Sequence, residues 1–247
     1  MSDAARNAPS WRALVDRASA AYRPAGRFAR QFARGKLNWD PVFRHLLVHG
    51  LISPRSRVLD IGCGRGLLAS LLMAASGEAQ SGRWPAGWAA APADARVTGI
   101  DLLARDVARA RGALGSDADF VCGDMRSVAF PTVDTVVILD ALHYIDAPEQ
   151  DAVLTRVRSA LGEGGRLVLR VGDAASRRGF AASQWVDRIV CLVRGKGMRP
   201  RSGRTLAEWK ARLTALGFDV SSQPMAEGTP FANVLLVGSI GPVPAVA

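Results

Sequence analysis

The sequence is short of cysteine and lysine and has no long apolar run. Its three cysteines, Cys63, Cys122 and Cys191, form no metal-ligand spacing and no even-numbered framework, which excludes a disulfide-stapled secreted scaffold and fits a reducing compartment. No stretch approaches the roughly 20 apolar residues that cross a bilayer. Residues 1–10 are polar and lack a signal-peptide apolar region, so a cytoplasmic location is expected. Lys36, Lys196 and Lys210 are the only lysines among 32 basic residues, a bias of genome composition rather than chemistry. Internal repeats and heptads are absent. What the chain does have is 49% hydrophobic residues in a length of 247, enough for a sizeable core and against a disordered or fibrous protein. That length fits one α/β domain or a core domain with a cap.

The net charge of +10 is unevenly placed. Residues 1–50 hold nine basic and three acidic side chains, residues 174–212 hold ten and two, and the remainder is mildly acidic. Such a field favours an anionic partner: a phosphate-bearing substrate, an acidic carrier protein, anionic lipid or nucleic acid. The plainer alternative is arginine used as a solubilising residue.

Helical patterns fall at 11–22, in a short piece near 28–32, and at 41–49 with proline first. RVLDI (57–61) reads as a buried strand, followed at once by the glycine turn GCGRG and the apolar helix LLASLLMAA. A loop over 76–96 carries Trp84 and Trp88, which either wall a pocket or anchor the loop. VTGI (97–100), FVC (120–122) and DTVVIL (134–139) read as three more strands, with a helix at 105–114 after the first of them. A helix beginning at Pro148 has Val153, Leu154, Val157 and Leu161 at helical spacing. RLVLRV (166–171) is a fifth strand. After a basic stretch, a helix closed by Gly217 precedes the strands FDVSS and NVLLVGS, which pair as an antiparallel hairpin. The predicted architecture is α/β: a Rossmann-like, seven-stranded, mostly parallel sheet with helices on both faces and a helical cap. Its divisions are a cap at 1–50 and a main domain at 51–247, with an inserted loop at 76–96 and a basic cap insertion at 174–204.

Ligands of an open parallel sheet bind outside the carboxyl ends of its strands. Four strands here end at an acid or a glycine turn: Asp60 with Gly62, Gly64 and Gly66, then Asp101, Asp124 and Asp140. With these residues the chain resembles the class I S-adenosylmethionine-dependent methyltransferases. VLDIGCGRG is similar to their first motif, GID to the ribose-binding acid, CGDM to the adenine-side acid, LDALHYID to the segment after the fourth strand and LGEGGRLVLRV to the turn and fifth strand. The spacing of Gly62, Gly64 and Gly66 is GxGxG, whereas a nicotinamide enzyme would have GxGxxG.

The resemblance implies S-adenosylmethionine as cofactor, S-adenosylhomocysteine as product, and no metal. It implies a cofactor set of Asp60, Gly62, Cys63, Gly64, Gly66, Asp101, Leu102, Asp124, Met125 and Asp140. The glycines permit positive φ and let the amino-acid end of the cofactor lie against backbone. Asp60 orients the turn and faces the ammonium, Asp101 accepts from the ribose hydroxyls, and Asp124 takes the adenine amino group with Met125 on the ring. For any single acid the alternative is a cap on the following turn. One departure is the 41-residue spacing from Asp60 to Asp101, against about 20 beyond the glycine turn in nucleotide-binding folds, which the 76–96 loop accounts for.

An activated methyl needs in-line positioning and, for some acceptors, removal of a proton. A phenol of pKa about 10 is three units from neutrality, roughly 4 kcal/mol, so a base helps. His143 follows Asp140 and suits that role, with Tyr144 orienting the acceptor; packing or capping is the alternative. His45 and His49 read as structural. The basic segments that flank the main pattern place Lys36, Asn38, Trp39 and Phe43 on one side. Arg170, Asp173, Trp185, Arg188 and Arg199 fall on the other, predicting a hydrophobic substrate pocket with a basic mouth. WVDRIVCLVRGKGMRPR (185–201) either packs on its own core or lies on an anionic membrane surface as a peripheral contact. FARGKLNWDPVF, VVILDALHYID and EGTPFANVLLV are similar to small methyltransferases of bacterial aryl-polyene-type pathways. That implies an aromatic or acyl acceptor, free or held by an acidic acyl carrier protein.

A nucleic-acid methyltransferase is the competing enzyme reading, favoured by charge alone. The chain has no NPPY- or DPPY-like tetrapeptide after the fourth strand and no Pro-Cys pair. A cofactor-binding scaffold without turnover is the third reading.

Overall fold

The computed structural model describes residues 9–174, 203–225 and 233–241. Trp185, Arg188 and Arg199, with the 185–201 run and nearly all of the 174–204 insertion, lie outside the described residues. The chain divides into two compact units, Met1–Ala129 and Phe130–Ala247.

The first unit runs α1 (Pro9–Ala20), α2 (Arg27–Trp39), α3 (Pro41–Val48), β1 (Arg57–Ile61), α4 (Leu67–Gln80), β2 (Arg96–Asp101), α5 (Ala104–Leu114) and β3 (Asp119–Cys122). β1 pairs in parallel with β2, from Arg57 opposite Arg96 to Ile61 opposite Ile100, and β2 pairs in parallel with β3. β1 is buried from Val58 to Ile61, as a continuous apolar run in a parallel sheet requires. Pro41 opens α3 behind Asp40, whose carboxylate accepts from Val42 N at 3.2 Å.

Two expectations change here. The short piece near 28–32 is the 13-residue helix α2, seated by Ala33 and Leu37 on its buried face. The loop placed at 76–96 is helical as far as Gln80. Gly77 looks like a stop in sequence, but Glu78 is buried beside it and bound by Arg17 at 2.7 Å and Arg83 at 2.9 Å, which holds the last turn. The remaining loop is anchored by its tryptophans. Trp88 meets the fully buried Trp11 of α1 at 6.5 Å and Trp84 edge-on at 5.4 Å, with the Arg44 guanidinium 5.3 Å from its ring.

The second unit runs β4 (Val133–Leu139), a 3₁₀ turn (Leu142–Tyr144), α6 (Ala147–Ala160), β5 (Leu161–Gly172), α7 (Leu206–Ala215), β6 (Asp219–Pro224) and β7 (Asn233–Ser239). β4 and β5 are parallel, and β7 runs antiparallel to both β5 and β6. Capping boxes start both helices: Asp146 with Glu149 before α6, and Thr205 with Glu208 before α7. β5 begins at Leu161 rather than 166, because Val133 already pairs with Leu161; a register shift follows, with four β5 residues (162–165) against one of β4 before Thr135 pairs with Arg166. The seven strands form one mixed sheet of order β3-β2-β1-β4-β5-β7-β6, mostly parallel with an antiparallel pair at one edge. This is the predicted Rossmann-like class. Among the described residues no helix is long and apolar enough to cross a membrane.

Candidate functional site

The turn between β1 and α4 has three left-handed glycines: Gly62 at φ 80°, Gly64 at 54° and Gly66 at 75°. Gly62 N and Cys63 N both donate to Ile100 O, at 2.8 and 3.1 Å, which ties the turn to the end of β2. Gly64 N donates to Asp101 Oδ2 at 2.8 Å, and Leu103 N donates to Oδ1 of the same carboxylate at 2.8 Å. The glycines differ in purpose. A Cβ on Gly66 would sit 2.8 Å from Phe120 Cζ, so this position is closed by packing. A Cβ on Gly64 would meet nothing within 4 Å, so open space lies against that backbone.

Asp60 is buried beneath the turn, and its carboxyl is pushed up to about 7, first by burial and then by the charge of Asp101. Burial raises the Cys63 thiol far above its ordinary range, and Asp60 and Asp101 push the same way, so this cysteine serves as a packing residue rather than a nucleophile. Asp101 is half-buried. A carboxylate has about four lone-pair directions, so two amides leave capacity for further donors.

The ends of β2 and β3 carry accessible apolar side chains: Leu102 is 50% and Val121 38% exposed, and Met125 is half-buried. Asp124 is more engaged than expected. Its carboxylate accepts from Arg126 N at 2.9 Å and from Arg126 Nε at 3.0 and 2.9 Å, and the Arg126 side-chain hydrogen bond holds it below the usual carboxylate range. Ser127 N and Val128 N close the turn on Asp124 O. Asp124 thus makes the contacts of the capping alternative, and Arg126 is a partner the sequence does not mark. Gly123 was missed too: a Cβ there would lie 2.2 Å from Val128, and its N–H donates to Asp101 O at 3.0 Å.

In the second unit Asp140 ends β4 in a left-handed conformation, φ 56°. Arg170 of β5, 3% exposed, donates Nε to Asp140 Oδ1 at 2.9 Å and Nη2 to Oδ2. The expectation for Arg170 changes. Arg170 is a buried cation already paired, not the cation of a pocket mouth, and Asp140 gives its carboxylate to that pair. His143 and Tyr144 lie on the 3₁₀ turn with ring centroids 4.1 Å apart. Gln150 Nε2 steadies that turn through Leu142 O at 3.1 Å and Ile145 O at 3.2 Å.

The other pocket expectations divide. Phe43 is 5% exposed and belongs to the core of the first unit, because α3 turns it inward with Leu46 and Leu47. Trp39 is 60% exposed, Asn38 is half-buried, and Lys36 pairs with Asp40 at 2.7 Å. Asp173 accepts from Leu206 N at 3.1 Å and so fixes the start of α7. His45 is pushed down to about 4 by burial and by His49, whose ring is 4.0 Å away. Among the described residues no group of three or more His, Cys, Asp or Glu is placed to hold a metal ion.

Residues 79–165 match a protein family described as a methyltransferase domain, so the glycine turn lies outside the matched segment and stands on its own geometry. The chain is 33% identical over 130 residues to a carboxy-S-adenosyl-L-methionine synthase of Chromohalobacter salexigens, an alignment covering 49% of this chain and 43% of that relative. Less than half of that relative's length is therefore spanned. Among solved structures, a chain from the complex of the Haloferax volcanii Trm112 methyltransferase activator with its methyltransferase superposes at TM-score 0.61 and 18% identity, covering 92% of this chain and 98% of that one. Magnesium protoporphyrin IX methyltransferase of Synechocystis with bound S-adenosylhomocysteine gives TM-score 0.56 and 20% identity, covering 92% and 94%. These likenesses show the fold, which is a Rossmann-like methyltransferase fold.

Proposed function

We propose that the chain transfers the methyl group of S-adenosylmethionine to a small hydrophobic or aromatic acceptor by in-line displacement. One observation carries this reading: the open space at Gly64, on a backbone whose N–H is already aimed at the Asp101 carboxylate. The residues present fit the cofactor. Gly62–Gly66 offers backbone to its amino-acid end, Asp60 lies under the turn as a counter-charge for the ammonium, and Asp101 keeps lone pairs for the ribose hydroxyls. Leu102, Val121 and Met125 provide an apolar surface for adenine, and Asp124 serves it once its contact with Arg126 is shared. When bound, the cofactor supplies an already activated methyl. The chain's own part is then to orient the acceptor, exclude water and, for a phenol, remove a proton.

In the second unit we assign proton removal to His143 and acceptor orientation to Tyr144. With a phenolic acceptor, His143→Gln is expected to lower kcat by about 10²- to 10⁴-fold while S-adenosylhomocysteine affinity is unchanged. Turnover of the phenol at the native rate would remove the base role. The finer reading, an aryl or acyl acceptor of the aryl-polyene type on an acidic carrier protein, is supported by the sequence runs and by the basic residues Arg188 and Arg199. It predicts that Arg188→Glu with Arg199→Glu slows a carrier-bound acceptor more than the free acid. Equal slowing would remove the carrier.

A second reading comes from the Chromohalobacter relative: S-adenosylmethionine as the group acted upon, its methyl carbon taking CO2 from a carboxylate co-substrate that receives the displaced proton in exchange. A new carboxylate calls for a cation near it, and Arg170, already bound by Asp140, does not supply one. Mass analysis of the cofactor after incubation separates the two, since methyl transfer yields S-adenosylhomocysteine and the alternative a heavier sulfonium.

A further inference from the structure

Arg65 lies in the glycine turn between Gly64 and Gly66, and three segments of the first unit hold it. Tyr22, just after α1, donates Oη to the Arg65 carbonyl at 2.8 Å. The Arg65 guanidinium lies 4.3 Å from the ring centroid of Phe32 in α2. Its Nε donates to Asp106 Oδ1 in α5 at 3.3 Å, and Arg109 reaches the same oxygen at 3.4 Å. A second latch lies alongside: Ser70, in the first turn of α4, donates Oγ to Ala18 O at 2.6 Å. The cluster is dry, with Tyr22 1%, Ser70 2% and Asp106 0% exposed. Asp106 Oδ2 is buried with no hydrogen-bond partner among the described residues, a costly placement for a carboxylate whose contacts all run through the other oxygen.

A loop with three left-handed glycines has much conformational freedom to lose when a ligand settles on it. Holding Arg65 by its carbonyl and by its side chain from several directions removes that freedom in advance, which is how preorganisation raises affinity. We propose that Tyr22, Phe32 and Asp106 are positioning residues which, through Arg65, fix the turn with Gly64 N–H on Asp101, so that α1 and α2 are working parts of the cofactor site. The inference rests on the reading of this turn as the S-adenosylmethionine site. Helices α1 and α2 then serve cofactor affinity as well as cover.

The test is calorimetric titration of the full chain with S-adenosylhomocysteine, on the native protein, Tyr22→Phe, Arg65→Ala, Arg65→Lys and Val15→Ala. Tyr22→Phe removes one hydrogen bond and is expected to weaken binding by about threefold to tenfold. Arg65→Ala weakens it at least as much, and Arg65→Lys restores part of the loss by keeping a cation beside Asp106. Val15 is 2% exposed in α1, so Val15→Ala loosens that helix without touching the turn; it lowers Tm and leaves affinity within about twofold. Hydrogen exchange of the α1 amides slows when S-adenosylhomocysteine is added to the native chain and slows less in Tyr22→Phe. If the native chain binds and both Tyr22→Phe and Arg65→Ala bind equally well, the positioning role is overturned. Equal loss in Val15→Ala also overturns it, reducing the contacts to ordinary packing. Failure of the native chain to bind overturns the cofactor reading itself, a result distinct from either.

Discussion

Asp101 and Asp140 each close a strand, one in each compact unit, and the chain uses them differently. Asp101 accepts two backbone amides at 2.8 Å and is half-buried. Asp140 faces the guanidinium of Arg170, which is 3% exposed, while its own side chain is 35% exposed. An acid held by two neutral amides keeps spare lone pairs that further donors can use. One held by a buried cation spends its lone pairs on that bidentate pair, here at a left-handed residue just after the strand. Two acids with the same place in a strand pattern thus differ in their partners, backbone amides for one and a buried guanidinium for the other.

Four perturbations break or sharpen that contrast. The largest effect is expected for Asp140→Asn, since asparagine tolerates φ 56° but leaves Arg170 buried without its counter-charge. The expected cost is about 3 kcal/mol in denaturant unfolding, and Arg170→Met costs less because Asp140 can be hydrated. Gly64→Val comes next. It places a branched side chain at φ +54° in the space left open at the turn, and S-adenosylhomocysteine affinity falls by about a hundredfold.

Third is a pH effect from Asp60, whose folded carboxyl titrates at about 7 against 3.8 for the ordinary group. Between those values the native state holds a proton that the unfolded chain has lost. The stability of the ligand-free protein therefore declines as pH rises through this window, by up to about 1.4 kcal/mol per unit. Asp60→Asn removes that slope. A cationic ammonium above Asp60 favours its ionised form, so cofactor binding near pH 7 releases a proton, seen as a binding enthalpy that varies with the buffer's own ionisation heat. The smallest effect belongs to Asp124→Asn, because its pair with Arg126 is solvent-exposed; less than about 1 kcal/mol of stability is expected from thermal melts.

Most strands were legible because buried parallel strands are short β-branched runs: RVLDI and NVLLVGS match β1 and β7 residue for residue. Helix ends were less so. α2 hides its length behind Gly35 and its many charges, and only Ala33 and Leu37 are buried to mark it as a helix. α4 continues past Gly77 because Arg17 and Arg83, distant in sequence or lying in a loop, neutralise Glu78. The glycine turn and the strand-end acids could be read from spacing alone. Their partners could not. Arg126 lies two residues from Asp124 and Arg170 thirty from Asp140, and nothing in either interval marks a pair. The Tyr22 contact with the Arg65 carbonyl involves backbone on one side and leaves no residue-type signal at all.

The account turns on whether the Gly62–Gly66 turn with Asp101 holds S-adenosylmethionine. The most direct measurement is calorimetric titration of the native chain and of Asp101→Ala with S-adenosylhomocysteine. The account predicts micromolar binding by the native chain and a loss of about a hundredfold or more in the variant, since charge-assisted hydrogen bonds are worth about 1.5–3 kcal/mol each. Equal affinity in the two proteins would contradict it.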